Sequence, residues 1–226
     1  MSLIKEELQT SKKNLTQRRI VTNDIDLEDL KNGEIIVQIE NFAFTSNNVT
    51  YGVAGEIMGY WQFFPTMNDP DNIWGCIPMW GFAEIKYSNN KELQVGERLF
   101  GYFPASNILT LKPIKILQKT FIDGEKHRKE LPPVYNNYIR LNNEDNYNKN
   151  NDNIRALLFP LHITSFCLCD YLQNENYLGA EQVIIVSASS KTAIGLAQGL
   201  QSEEKKPEII GLTSKRNSEF VKNLNS

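Results

Sequence analysis

Between Ser187 and Thr192 the sequence reads Ser-Ala-Ser-Ser-Lys-Thr, after the β-branched run Val183–Val186 and before an Ala/Leu/Gly stretch. These side chains suit phosphate. Ser187, Ser189, Ser190 and Thr192 carry hydroxyls that donate to phosphate oxygens, and Lys191 adds a positive charge. If the stretch that follows is helical, its N-terminal N–H groups and dipole point at the same place. Against the dinucleotide fingerprint G-x-G-x-x-G, Gly195 takes the last position while Ser190 and Thr192 stand at the first two, so two of the three glycines are replaced. A Walker-type loop, suggested by Lys191-Thr192, would need glycines at Ile185 and Ser190 and fails at both. Dinucleotide binding is the favoured reading; another phosphate ligand and a plain Ser-rich helix cap stay open beside it.

A second cluster follows the strand-like run Glu208–Leu212: Thr213, Ser214, Lys215 and Arg216, with no carboxylate until Glu219. A free ribose calls for an acidic residue here, whereas a 2′-phosphate calls for Arg or Lys, which favours NADP (as NADPH). An exposed basic loop is the plain alternative. Asn48 and Tyr51, three apart in a polar turn, form the other candidate pair. A phenol with an ordinary pKa near 10 is a plausible proton donor and a weak base. The aromatic residues Tyr60, Trp61, Phe63, Phe64, Trp74 and Trp80 either line a flat pocket or simply pack a core. His127 and His162 are read as structural. With three cysteines and two histidines, scattered through the chain, no metal site is expected.

The elements that must hold these residues fall into two parts. Residues 1–19 read as a frayed or loosely helical lead-in, Arg18–Thr22 as a first strand, and Asp24–Gly33 as a turn-rich connection. Gly33–Phe44 alternates as a strand, with Ile35, Val37 and Ile39 on one face. Thr45–Gly52 is polar and turn-forming. Short strands punctuated by Gly, Pro and Asn, among them Ala83–Tyr87 and Arg98–Tyr102, suggest a compact barrel. Asp123–Glu130 reads as a charged loop. Asn142–Asn153 is polar and of low complexity, an exposed insertion or inter-domain loop. Ile154–Leu172 is helical with Pro160 bending or restarting it. Val183–Val186 reads as a strand buried on both faces, and Ala193, Leu196, Ala197 and Leu200 recur at helical spacing. The fold class is α/β: a β-rich first domain over 1–150 and an α/β second domain over 151–226.

Of 226 residues, 41% are hydrophobic and the net charge is −3, enough apolar material for one large or two small cores. The near-neutral balance gives no footprint for nucleic acid or a membrane surface, and no apolar run reaches the roughly 20 residues of a membrane helix. A charged N-terminus without an apolar stretch, together with unpaired thiols, reads as cytoplasmic.

Several segments resemble the medium-chain dehydrogenase/reductase superfamily. Gly96-Glu-Arg-Leu-Phe-Gly101 resembles the box closing its barrel. Pro160-Leu-His-Ile-Thr-Ser165 resembles the domain-junction segment of the quinone-oxidoreductase branch, which places Thr164 beside the cofactor. Asn48-Val-Thr-Tyr51 sits where that branch carries an active-site Asn. The pattern Tyr60-Trp61, Phe63-Phe-Pro65, Trp74-Gly-x-Ile-Pro-x-Trp-Gly81, with the Ser187–Ala197 loop, is similar to an uncharacterised branch of unknown function. The resemblance implies a GroES-like barrel followed by a Rossmann fold, with Tyr51 donating a proton and Asn48 orienting the nicotinamide. With no Cys at Asn48–Tyr51 and no four-cysteine lobe, it implies the zinc-free kind, reducing a carbonyl, quinone or activated double bond of a small-molecule substrate with NADPH. Two other functions stay open: a non-catalytic NADPH-binding or interaction protein, and an inactive fragment of a longer reductase. Members of the superfamily are longer, so the chain is expected to be truncated within the Rossmann domain, its sheet completed by a homo-oligomer or another partner.

Overall fold

The computed structural model describes residues 1–202 and 206–224, so the expected domain end at Ser226 lies outside the described residues. The chain divides into two compact units, Met1–Ala156 and Leu157–Ser226.

In the first unit, β1 (Ser2–Ser11) and β2 (Arg18–Asp26) pair antiparallel, and β4 (Trp74–Gly75) adds to the other side of β1. The lead-in expected to be frayed or helical is therefore a ten-residue strand. Its alternation is inverted: Glu7 and Gln9 are buried while Ile4 and Leu8 are exposed. The buried Glu7 is satisfied by Gln9 at 2.7 Å, the Met67 N–H at 3.1 Å and the Lys5 ammonium at 3.2 Å. Such pairing makes a buried carboxylate tolerable.

Seven further strands build a nearly closed antiparallel sheet: β3 (Ile35–Phe42), β5 (Met79–Ser88), β6 (Arg98–Phe103), β7 (Ile108–Leu111), β8 (Pro113–Ile114), β9 (Thr120–Asp123) and β10 (Asn137–Arg140). Their spatial order is β7-β3-β5-β6-β10-β9-β8. Register shifts between β3 and β5, at Ile36/Val37 and Ile39/Asn41, curl the sheet as bulges do. Ile35, Val37, Phe82, Ile85, Leu99 and Phe121 fill the interior. Tyr138 stacks on Phe121 with centroids 5.3 Å apart and donates its hydroxyl to the Tyr102 carbonyl at 2.7 Å.

The composition of the box Gly96–Gly101 has local causes. Gly96 takes φ +87°, a left-handed conformation that suits glycine. Glu97 grips Arg140 through two bonds of 2.5 and 3.0 Å. Arg98 bonds Glu40 at 2.8 Å and Asp152 at 3.0 Å. Two further expectations are corrected in this unit. The polar turn at Thr45–Gly52 is a helix, α1 (Ser46–Val53), because Thr45 and Asn48 form a reciprocal capping box. The charged loop at Asp123–Glu130 is partly interior, because Asp123 and Arg128 form an ion pair in which both are buried.

Helix α2 (Asp152–Asn174) begins at the end of the first unit and continues into the second as a single helix through Pro160. In the second unit β11 (Gln182–Val186) leads through α3 (Lys191–Gln201) to β12 (Glu208–Leu212), which pairs with it in parallel, and α4 (Ser218–Asn223) follows. This is one β-α-β unit. The expected burial of β11 on both faces is not found: Ile185 is buried, but Ile184 is 59% and Val186 71% exposed. Ile184 and Val186, two apart, share the face that lacks cover, and among the described residues β11 has β12 as its sole strand neighbour, so one edge is unpaired as well.

Candidate functional site

In the second unit, the turn after β11 opens with Ser187 at φ +57°, a left-handed kink that reverses the chain at the strand end. Ser190 closes the turn. Its N–H reaches the Ser187 carbonyl at 2.8 Å, and its side chain caps α3 by accepting from the Ala193 N–H at 3.2 Å. Lys191 and Thr192 form the first helical positions. Among the described residues their N–H groups have no acceptor, as at any helix start awaiting solvent or an anion. Ser190 and Lys191 are both exposed and so accessible to a ligand.

The two clusters expected from the sequence meet. The Ser189 hydroxyl lies 3.4 Å from that of Thr213 and accepts from the Asn217 side chain at 3.0 Å. The Ala188 N–H donates to the Leu212 carbonyl at 3.0 Å. Hence Ser214, Lys215 and Arg216, all exposed, stand on the connection just beyond the phosphate-type turn. No carboxylate pairs with Lys215 or Arg216 among the described residues. Asn217, absent from the sequence candidates, is the link; a side-chain amide at that offset had no motif to reveal it.

Gly195 permits a close approach, but to a helix rather than to the strand: a Cβ there would lie 2.8 Å from the Ser165 Oγ. Ser165 is 1% exposed, and its one O–H is shared between the Thr192 carbonyl at 2.8 Å and the Leu161 carbonyl at 3.1 Å. It thereby ties α2 to the first turn of α3. The neighbouring Thr164 is exposed and donates to the Pro160 carbonyl of its own helix at 3.3 Å. Ser165, missed in the sequence, is thus the member of this segment that touches the turn.

In the first unit, Asn48 and Tyr51 share one face of α1, and both are buried. The Asn48 amide is engaged at both ends: its oxygen accepts from the Thr45 N–H at 2.7 Å and its nitrogen donates to the Pro78 carbonyl at 3.0 Å. Tyr51 is 8% exposed, with its ring 4.6 Å from Tyr60 and 6.0 Å from Tyr102. Burial pushes its pKa up to about 12; the Tyr60 phenol adds to the shift, and a hydrogen bond with Trp80 opposes it. With its pKa raised in this way, the Tyr51 phenol keeps its proton at neutral pH. Of the other aromatic candidates, Tyr60, Trp61, Phe63, Phe64 and Trp80 are buried, while Trp74 lies beneath the Arg19 guanidinium at 4.5 Å. His127 bonds the Phe63 carbonyl at 3.0 Å. No group of three or more His, Cys, Asp or Glu that could hold a metal ion occurs among the described residues. No helix is long and apolar enough to cross a membrane among them.

Over residues 42–226 the chain matches the family described as "Protein of unknown function (DUF2855)". No curated protein matches it. Several solved structures share its fold. CurA from Vibrio vulnificus is 13% identical with a TM-score of 0.57, the match covering 98% of this chain and 56% of that one. The mitochondrial 2-enoyl thioester reductase heterodimer Etr1p/Etr2p of Candida tropicalis is 13% identical with a TM-score of 0.55, covering 99% and 58%. The complex of Etr1p with NADP and crotonyl-CoA gives 12% and 0.54, covering 99% and 58%. The chain therefore spans a little under three fifths of the length of each of these structures. Their common fold fits what the two units contain: a GroES-like barrel, then the first part of a Rossmann fold.

Proposed function

The chain belongs to the family described as protein of unknown function (DUF2855), and we propose that it is a zinc-independent NADPH-dependent reductase of a carbonyl, quinone or activated double bond. The observation that carries this reading is the joining of two clusters by one hydroxyl. Ser189 contacts Thr213 and Asn217, so the open N-terminus of α3 and the cations Lys215 and Arg216 belong to one locality. The donor set fits a dinucleotide bearing a 2′-phosphate. The N–H groups of Lys191 and Thr192, with the Ser187 and Ser190 hydroxyls and the Lys191 ammonium, would hold the pyrophosphate. Ser214, Lys215 and Arg216 would hold the 2′-phosphate. Gly195 and Ser165 keep the turn rigid against α2. Thr164 remains a proposed cofactor contact on the family resemblance alone.

When bound, NADPH supplies a hydride to a substrate carbon. On the family resemblance alone, Tyr51 is the proposed donor of the proton that completes the reduction, restored from solvent. Asn48 acts as a positioning residue, since its amide fixes both the start of α1 and the Pro78 backbone. The presence of NADP and crotonyl-CoA in the Etr1p complex supports a small-molecule acceptor with an activated double bond. The exposed Ile184 and Val186 support a further proposal, that a second copy or another partner covers that face.

NADPH oxidation followed against a panel of quinones and enones tests the reading. Turnover with at least one acceptor is expected. Binding without turnover would reject the reductase and leave an NADPH-binding protein; no binding would reject both.

A further inference from the structure

Four phenols of the first unit converge: Tyr51, Tyr60, Tyr102 on β6, and Tyr135 in the segment Pro133–Asn136. Tyr102 lies at their centre, with no exposed surface. Its ring is 4.6 Å from Tyr135, 5.2 Å from Trp80 and 5.5 Å from Phe63. Its hydroxyl has no hydrogen-bond partner among the described residues. A buried hydroxyl with nothing to bond is costly, and folded proteins rarely retain one without a water, an ion or a functional role. The other phenols are only partly used. Tyr60 and Tyr135 share one contact of 3.3 Å between their hydroxyls, and the Tyr51 ring packs 4.6 Å from Tyr60.

These groups select a ligand type. Burial first, then the neighbouring phenols, raise the pKa of Tyr102 and, with the Tyr60 hydrogen bond, that of Tyr135. Tyr51, Tyr102 and Tyr135 therefore stay protonated at neutral pH and offer O–H donors. The groups acting on them are other phenols and Trp80, with no cation among them. An anion would find no countercharge, whereas a neutral acceptor would find donors between flat ring walls. Tyr135 is half-buried and packs on Tyr102, so its rotation would uncover the orphaned hydroxyl.

We propose that the Tyr102 hydroxyl is the donor to the carbonyl oxygen of a planar conjugated ligand, a quinone or aryl-conjugated carbonyl, bound among these rings once Tyr135 turns aside. Identifying that ligand with the substrate rests on the reductase reading; the binding site does not.

The test titrates duroquinone into the full chain without nicotinamide cofactor. Binding is read by calorimetry and by tryptophan quenching, and the quinone carbonyl stretch by infrared difference. Saturable binding with a carbonyl stretch lowered by hydrogen bonding is expected for the wild type. Tyr102→Phe should bind at least tenfold more weakly and lose the lowered stretch, with a melting temperature equal to or above wild type. Equal affinity in Tyr102→Phe, an unshifted carbonyl stretch in wild type, or no wild-type binding would overturn the site. Should Tyr102→Phe fail to fold, the wild-type stretch alone decides. Parallel NADPH titration separates the two claims. Tyr102-dependent quinone binding without NADPH binding would reject the reductase and keep the site, and the reverse pattern would reject the site and keep the reductase.

Discussion

Gly195→Ala sets two effects of opposite sign against each other. Alanine is the better helix former by about 1 kcal/mol, so propensity alone favours the change in α3. Against this, the new Cβ would stand 2.8 Å from the Ser165 Oγ and 3.1 Å from its Cβ. Ser165 has little room to yield, because its hydroxyl is held by the Leu161 and Thr192 carbonyls. Overpacking of this kind costs about 1–3 kcal/mol, and displacing the hydroxyl forfeits a further 0.5–1.5 kcal/mol or so. After subtracting the propensity gain, a net loss of about 0.5–3.5 kcal/mol follows. Urea unfolding monitored by circular dichroism measures it. The double variant Gly195→Ala/Ser165→Ala sharpens the test, since removing Oγ relieves the clash. Ser165→Ala should therefore cost less when made on top of Gly195→Ala than when made alone, with a coupling of at least about 0.5 kcal/mol. A stabilisation of about 1 kcal/mol in Gly195→Ala, or strict additivity in the cycle, would refute the helix-to-helix contact as the reason for glycine.

Other consequences follow from burial. Asp123→Asn leaves the buried Arg128 guanidinium without its countercharge and should cost about 3–5 kcal/mol in the same unfolding assay, against less than 1 kcal/mol or so for an exposed pair such as Lys129–Glu130. Burial pushes the Cys76 thiol from 9.0 to about 12, with Glu7 adding to it, and pushes Tyr51 from 10.0 to about 12. Both groups hold their protons longer in the native chain than in the unfolded one. Stability should therefore be insensitive to these groups below about pH 9 and fall as pH rises to about 12, which pH-dependent urea midpoints would reveal. By the same shift, if Tyr51 is the proton donor, turnover should fall along an alkaline limb near 12 rather than near 10; loss of the limb in Tyr51→Phe, with residual slow turnover, would tie it to that phenol.

The parts of the chain that sequence reasoning located are those where pattern and environment agree. β3 follows its β-branched run, β5 and β6 follow short apolar runs punctuated by Gly, Pro and Asn, and β11, α3 and β12 follow the change from a strand period to a helical one. β1 was hidden because its inward face carries Glu7 and Gln9, whose burial depends on partners such as Met67, distant in sequence. α1 was hidden because its start signal uses Asn48 where Glu or Gln is usual at the third helical position of the box. The serine-rich turn could be read from residue types, yet its junction with Thr213 could not, since that contact exists only after β11 and β12 pair. Tyr102 was invisible as a candidate for a similar reason. In sequence it is one more strand aromatic, and its unpartnered hydroxyl emerges only from packing.

Whether the second unit takes a dinucleotide with a 2′-phosphate is decided by calorimetric titration of the full chain with NADPH and NADH, beside Lys215→Ala/Arg216→Ala. Charge-assisted hydrogen bonds are worth about 1.5–3 kcal/mol, or roughly 10–150-fold in affinity. One saturable NADPH site is expected, with NADH weaker by about that factor and the double variant binding both equally weakly. Saturable binding of neither cofactor, or NADPH affinity unchanged in the double variant, would contradict it.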